Sequence, residues 1–256
     1  MKFVYIVLIF IARTTLAELE TWEIIEFETR NVNLNELTDR SIPFIAKFIK
    51  KSDLDPLKLP NAKQKLWTQN ANLPDTKTYK VDLILESGIL KGLSNLERHN
   101  NATLSYADRI LKLDIGFEFK LLQATYDYIV NLGFTKLKGR VKASADNVRA
   151  IINITFNTTD YIIALKKLDL QVPSRIKVTV ENKNGSVNWV NTAIVNIISP
   201  FFKNTIMTAV REEATNVIRT YLNEINRKYA PRKKLIYTLQ YHLLKESLNK
   251  PFNLMF

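Results

Sequence analysis

The side chains that most often carry catalysis are scarce in this sequence. It contains two histidines, His99 and His242, and no cysteine. A thiolate site is therefore excluded, and a histidine-based zinc site or a Ser-His-Asp triad is nearly excluded. It has no His-Glu-x-x-His, Gly-x-Ser-x-Gly or Walker motif. Asp53 and Asp55 are spaced for acid–base chemistry, but their place beside Pro56 is more typical of turn and capping residues. The sequence predicts no enzymatic activity, no metal ion and no cofactor.

Four cations recur at every second position: Lys136, Lys138, Arg140 and Lys142. Side chains two apart in a strand point to the same face, so these four predict one basic face. That face could meet the phosphates of an anionic lipid surface. A solvated sheet surface is the alternative and the more common explanation.

Apolar side chains form the stronger pattern. From Leu111 to Leu121 they alternate with polar ones, as in a strand with one buried face. From Asn188 to Arg227 they recur at three- and four-residue steps, as in a helix with one apolar stripe. A sheet that curls around this helix and packs imperfectly at one end would leave a tunnel for an acyl chain or terpenoid; plain core packing is the alternative. The expected lining residues are Leu113, Ile115, Phe117, Phe119, Phe201, Phe202, Ile206 and Val210.

The length of this helix constrains the shape of the protein. About 40 residues at about 1.5 Å each make a rod of roughly 60 Å, whereas a compact domain of about 240 residues is only about 45 Å across. Either the fold is elongated or the helix breaks at Pro200, where a kink and a new helix start are both compatible with the sequence.

The remaining elements predict an α+β fold. A helix is expected from Leu34 to Lys51, opened by Asn33 and either kinked or restarted near Pro43. A strand should start at Tyr79 and end near the glycines that follow it. Only short loops separate the predicted strands, and strands joined by short loops must run antiparallel. The helices should therefore cover one face of a long antiparallel sheet. Besides Leu111–Leu121, the predicted strands are Ala124–Val130, Thr135–Ala143, Val148–Phe156, Tyr161–Val172 and Arg175–Val180, with a turn at Ser144–Asn147.

The two ends of the chain are predicted to lie outside this domain. Basic Met1-Lys2, an apolar run and Ala17 predict a secretory signal over residues 1–17, with a retained anchor as the alternative. The domain should span 18–228. A basic break at Ala230–Lys234 should begin a C-terminal extension over 229–256, for which a docked helix, a membrane-surface anchor and a disordered tail all remain open. No later segment reaches about 18 uninterrupted apolar residues, which predicts no transmembrane segment.

If the protein is secreted, its glycosylation sequons and its net charge can be interpreted. Four Asn-x-Ser/Thr sequons are candidate glycosylation sites: Asn101, Asn153, Asn157 and Asn184. The formal net charge of +12 would favour an anionic membrane surface or glycan as a partner over nucleic acid. A charge that serves only solubility is an equally good explanation.

Three motifs carry a family resemblance. They are Asp55–Pro60 after the first helix, Leu90–Leu93 after the first strand, and Ile198–Phe202 in the long helix. In this order the chain resembles the group 7 mite allergens and, more distantly, the insect takeout and juvenile-hormone-binding proteins of the tubular lipid-binding superfamily. The absence of the N-terminal cysteine pair of takeout-like proteins favours the group 7 side.

The resemblance implies an elongated super-roll, in which a bent sheet wraps the C-terminal helix and holds a hydrophobic ligand. We therefore expect a secreted carrier of a hydrophobic small molecule or lipid. The alternative is a surface binder of anionic bacterial or host lipid that uses the basic face and encloses no cargo. The oligomeric state is left open.

Overall fold

The computed structural model of the protein describes residues 34–69, 78–132, 135–172, 175–183 and 188–248. It begins with one helix, continues through eight strands and ends with a long helical rod. The predicted signal, the Asn33 cap and the sequon at Asn184 lie outside the described residues. The elements are α1 (Leu34–Lys51), β1 (Leu57–Lys58), β2 (Ala62–Gln69), β3 (Thr78–Lys91), β4 (Leu96–Ala107), β5 (Ile110–Leu132), β6 (Thr135–Asn157), β7 (Ile162–Gln171), β8 (Lys177–Asn182), α2 (Asn188–Phe201), a π-helical turn (Phe202–Ile206) and α3 (Met207–Leu248).

Strands β5 and β6 form a hairpin of two 23-residue strands around which the sheet is built. They pair from Ile110↔Asn157 to Leu132↔Thr135. Toward the first of these ends, β4 pairs with β5 and β7 pairs with β6. Toward the other end, β3 pairs with β5, β8 pairs with β6, and β1 and β2 share the far edge of β3. We call these two parts of the antiparallel sheet the β4–β7 half and the β3–β8 half.

The two halves meet where the buried positions of β5 and β6 change from odd to even residue numbers. Alternate side chains of β5 are buried up to Phe119, and burial resumes at Leu122 instead of Leu121. On β6 the matching change falls around Asn147, which has a positive φ of 55° that an asparagine tolerates better than most residues. Two predictions are therefore wrong: Leu121 is 44% exposed, and Ser144–Asn147 is a bend within one strand instead of a turn between two. Because both strands reverse together, the buried face remains continuous.

Helix α1 runs through Pro43 without a restart. It packs mainly on β4, and its polar side joins that strand directly. The guanidinium of Arg98 donates from Nε and Nη2 to the two carboxylate oxygens of Asp39, at 2.8 and 3.0 Å. The amide oxygen of Asn35 accepts a hydrogen bond from the backbone N–H of Ala102 at 2.8 Å. These contacts hold α1 along one edge of the β4–β7 half.

The C-terminal helical rod is continuous from α2 to α3. Its π-helical turn begins two residues after Pro200, whose missing N–H removes one hydrogen bond of a regular helix. The predicted break at Ala230–Lys234 is wrong, because α3 continues to Leu248. About 60 residues at about 1.5 Å each give a rod of roughly 90 Å, so the expected elongated shape is confirmed.

The rod lies against both halves of the sheet. Helix α2 packs on β2 and β8, and α3 packs on β7. The side chain of Asn226 accepts a hydrogen bond from the N–H of Ile163 at 2.9 Å and donates one to its carbonyl at 2.8 Å. Both backbone groups of Ile163 on the open edge of β7 are therefore paired. By length and composition alone, the stretch Val190–Lys228 would pass as a membrane span. It also supplies buried core residues such as Ile194 and Leu222, so packing on the sheet accounts for much of its apolar character.

The β3–β8 half is closely packed beneath α2. Its core includes Ile194 and Ile198 of the helix, both at most 2% exposed. The ring of Tyr126 meets that of Phe201 edge-on, with centroids 5.9 Å apart, and its hydroxyl donates to the carbonyl of Pro60 at 3.0 Å. Burial raises the pKa of Tyr126 to about 12. The structure confirms the predicted α+β class, with helices on the buried face of an antiparallel sheet.

Candidate functional site

A cavity of about 190 Å³ lies in the β4–β7 half. Strand β5 contributes Leu113 through Phe119 to its floor, by way of the alternate residues that face inward. Strand β6 contributes Ala150, Ile152 and Ile154, and β7 contributes Leu168 and Leu170. The floor is therefore the apolar face that the alternating pattern of β5 predicts, extended over the two strands beside it.

The roof of the cavity is made by α1 and α3. Residues Ile45, Phe48 and Ile49 of α1 and Ile218 and Tyr221 of α3 are among its lining side chains. They recur at three- and four-residue steps, so each helix presents one apolar face. The rings of Phe48 and Tyr221 meet with centroids 5.1 Å apart, which brings the two helices together above the floor.

The turn after β3 closes one part of the wall. Leu93, in this turn, and Leu54, after α1, both line the cavity. The carboxylate of Asp55 accepts hydrogen bonds from the N–H of Gly92 at 3.1 Å and from the N–H of Ser94 at 2.8 Å. Asp55 therefore caps this turn, as expected for a turn residue. The cap also joins two of the sequence motifs that carry the family resemblance.

Only glycine fits at position 92 of this turn. Gly92 has a φ of +106°, a region that is open to glycine and strained for other residues. A Cβ at this position would lie 2.1 Å from the carbonyl oxygen of Leu121. The backbone of β5 can approach the turn closely for this reason, and the approach holds Leu93 against the cavity.

Almost no polar atom faces the cavity. Of the three hydroxyl residues of its wall, Thr38 donates to the carbonyl of Leu34 at 2.7 Å and Ser41 donates to that of Leu37 at 2.8 Å, while Tyr221 packs its ring on Phe48. In the part of the chain that the structure describes, no group of three or more His, Asp or Glu side chains could hold a metal ion. The cavity can therefore bind an apolar guest by apolar contact and shape.

The structure separates the predicted lining residues into two groups. Leu113, Ile115, Phe117, Phe119 and Val210 lie on the cavity wall. The other three, which precede α3 on the rod, are not part of that wall and are buried core side chains at most 5% exposed: Phe201, Phe202 and Ile206.

Several wall residues were not predicted as lining residues. They include Phe48, Leu93, Leu168 and Tyr221. The apolar spacing of α1 and the alternation in β7 are visible in the sequence, and they identify buried faces. They do not indicate which buried faces surround an empty space.

The predicted basic face is partly neutralised. Lys136 and Lys138 are exposed on β6, with buried residues between them. Arg140 donates to Asp127 on β5 at 3.1 Å, and Lys142 binds Glu181 on β8 at 2.5 Å. The four cations share one outer face of the sheet, where two of them already have carboxylate partners.

The described sequons differ in their surroundings. Asn101 is exposed on β4. Asn153 is half-buried on β6 and donates from its amide nitrogen to Asp114 on the neighbouring strand. Asn157 ends β6 and accepts hydrogen bonds from the backbone of the turn that follows. Of these three, Asn101 offers the most open side chain for a glycan.

Two solved structures resemble this fold at low sequence identity. The crystal structure of Epiphyas postvittana Takeout 1 is 14% identical, with a TM-score of 0.48, and the match covers 75% of this chain and 94% of that chain. The crystal structure of lipopolysaccharide binding protein is 12% identical, with a TM-score of 0.49, and the match covers 73% of this chain and 37% of that one. No curated protein matches the sequence.

The family assignment comes from the sequence itself. The family model described as group 7 allergen matches residues 33–222, which include α1, the whole sheet, α2 and the part of α3 above the cavity. This range is well over half of the chain and contains all three motifs on which the resemblance was based. The chain therefore belongs to the group 7 allergen family.

Proposed function

We propose that this protein is a secreted carrier that encloses a hydrophobic small molecule or one apolar part of a lipid. The observation that carries the proposal is the cavity between the β4–β7 half and the two helices above it, with a wall made almost wholly of carbon. Apolar burial is favourable by roughly 25 cal/mol per Å², so an apolar guest gains affinity there without any specific polar contact. The protein would act by binding, with no chemical step.

A thermal shift experiment tests this proposal. A ligand that binds only the folded state stabilises it by RT ln(1 + [L]/Kd), or about 2.7 kcal/mol at a hundredfold excess over Kd. For a domain of this size the gain raises Tm by roughly 5–11 °C. Native mass spectrometry of secreted material should show a co-purified hydrophobic molecule. Absence of both a bound molecule and a shift with any fatty acid, alcohol or terpenoid would refute the carrier function.

Secretion is part of the proposal and has its own test. It rests on the signal-like residues 1–17 and on the open sequon at Asn101. N-terminal sequencing of material from a eukaryotic secretory host should find a chain that starts after Ala17. Loss of glycan mass on Asn101→Gln would show that this sequon is used.

The alternative function, binding to an anionic lipid surface through the basic face, has less support. Arg140 and Lys142 already pair with carboxylates, which leaves Lys136 and Lys138 as the cations open to a phosphate. Two exposed lysines supply roughly 1 kcal/mol each near an anionic membrane. Vesicle binding that rises with anionic lipid fraction and falls with salt would favour this alternative; binding insensitive to both would exclude it.

A further inference from the structure

The size of the cavity limits what it can hold. An engineered apolar protein cavity of about 150 Å³ binds benzene, a molecule of six carbon atoms. In proportion, the cavity of about 190 Å³ has space for about eight carbon atoms. A single short hydrocarbon group fits this space, whereas the two long chains of a phospholipid do not.

The wall decides where the polar end of a guest must lie. The hydroxyl protons of Thr38 and Ser41 are donated to carbonyls of α1, and almost no polar atom faces the cavity. A hydroxyl or carboxylate carried inside would leave water without finding a partner, which costs about 1–3 kcal/mol for a neutral group and more for a charged one. A polar group is therefore tolerated only outside the cavity.

The roof provides an apolar approach to the cavity. Helices α1 and α3 meet through the rings of Phe48 and Tyr221, which line the cavity and are half-buried. Exposed Lys47 and Lys51 lie beside Phe48 on the outer surface of α1. The two rings are in contact, so a chain that enters at this seam must push them apart, and its polar end would then lie in water near the exposed lysines.

We propose that the cavity takes one unsubstituted hydrocarbon chain of about eight carbon atoms, inserted tail first, from an amphiphile whose only polar group stays outside. The inference rests on the proposed carrier function and narrows it to single-chain amphiphiles with an apolar terminus. Such a site discriminates between ligands by whether the buried end of the chain carries a polar group, and the chemistry of the headgroup matters little.

The test uses two series of simple ligands, with Kd measured by calorimetry. The first is the 1-alkanols from hexanol to tetradecanol. Each added methylene should tighten binding about fourfold, which is 0.8 kcal/mol of burial, up to about eight carbon atoms. Beyond that length Kd should change little. A continued fourfold gain through dodecanol would overturn the size limit.

The second series compares 1-octanol with 1,8-octanediol, which has the same length and a hydroxyl at both ends. The diol must bury one hydroxyl, so its Kd should be roughly 5- to 150-fold weaker. Equal affinities would overturn the inference. A polar end left outside lies near water and the exposed Lys47 and Lys51, so octanoate should bind at least as well as octanol. Much weaker binding of octanoate would contradict tail-first insertion.

A wall variant separates this inference from the carrier function itself. Ala150→Leu fills about three of the eight carbon positions in the cavity and should weaken octanol binding by roughly 60-fold, which would establish that binding occurs at this site. If no alkanol, fatty acid or terpenoid binds the wild-type protein and no hydrophobic molecule co-purifies with it, the carrier function fails; if only branched or ring-shaped ligands bind, the narrower inference alone fails. If octanol binds in the cavity and the diol binds equally well, only the narrower inference fails.

Discussion

Replacing Ala150 by leucine should stabilise the protein, which is the opposite of the usual result at a buried alanine. Ala150 is 3% exposed and lies on the cavity floor. Leucine adds three carbon atoms, worth about 0.8 kcal/mol each when buried, and loses about 0.5–1 kcal/mol of side-chain freedom. We expect a net gain of about 1–2 kcal/mol in the free energy of unfolding.

The same strand supplies a matched control. Ala143 is also 3% exposed on β6, but it lies in the closely packed β3–β8 half, opposite Ala124 of β5. Extra carbon atoms in a filled core cost about 1–3 kcal/mol. Ala143→Leu should therefore destabilise the protein by about that amount, although the two substitutions are chemically identical.

Urea denaturation and thermal unfolding of both variants measure the difference. A change of 1 kcal/mol corresponds to about 2–4 °C in Tm for a domain of this size, so the two variants should differ by roughly 5 °C or more. Equal destabilisation of the two would mean that the β4–β7 half is as full as the β3–β8 half. The carrier proposal would then lose its main support.

Three further substitutions test other parts of the structure. Gly92→Ala should cost more than about 2 kcal/mol in urea denaturation, because the residue has a positive φ and its Cβ would collide with the carbonyl of Leu121. Asn226→Ala should cost about 1–3 kcal/mol because it leaves both backbone groups of Ile163 unpaired. Burial raises the pKa of Tyr126 to about 12, so its contribution to the free energy of unfolding is complete below pH 10 and is lost as pH rises toward 12. Tyr126→Phe should remove this contribution to the alkaline decline in the free energy of unfolding.

For each of these substitutions, one result would contradict the structural argument. Wild-type stability in Gly92→Ala would show that β5 does not approach the turn as closely as described. Asn223→Ala, at an exposed position on α3, is the control for Asn226→Ala, and equal effects would mean that the contact with β7 contributes nothing. An unchanged alkaline slope in Tyr126→Phe would assign that decline to other groups.

Periodicity in the sequence was sufficient to predict the main elements of this fold. The alternation from Leu113 to Phe119 and the three- and four-residue spacing around Ile194 and Ile198 identify which faces are buried. The phase change at Asn147 was missed because alternation on each side of it is regular, and only the pairing of the two strands shows that the inner face changes from odd to even positions. For Pro43 and Pro200 the sequence left a kink and a new helix start both open, and the structure shows that neither proline begins a separate helix.

The cavity could be predicted only in part. Apolar spacing shows that a side chain is buried, and it does so equally for Phe117 in the cavity wall and for Phe202 in the core. The difference between them depends on how far α1 and α3 stand from the floor, which is set by contacts distant in sequence. Two such contacts between residues distant in sequence are the hydrogen-bonded ion pair of Arg98 with Asp39 and the ring contact of Phe48 with Tyr221.

The shared β5–β6 hairpin has a consequence for how this molecule opens. One half of the sheet is filled and the other is covered by helices over an empty space, yet both use the same two strands. Local opening requires least free energy where the fewest apolar contacts are lost, so α1 should detach while the hairpin stays paired. In native-state hydrogen exchange, the amides of α1 should therefore exchange well before those of β5, and a bound guest should slow the exchange of α1 above all.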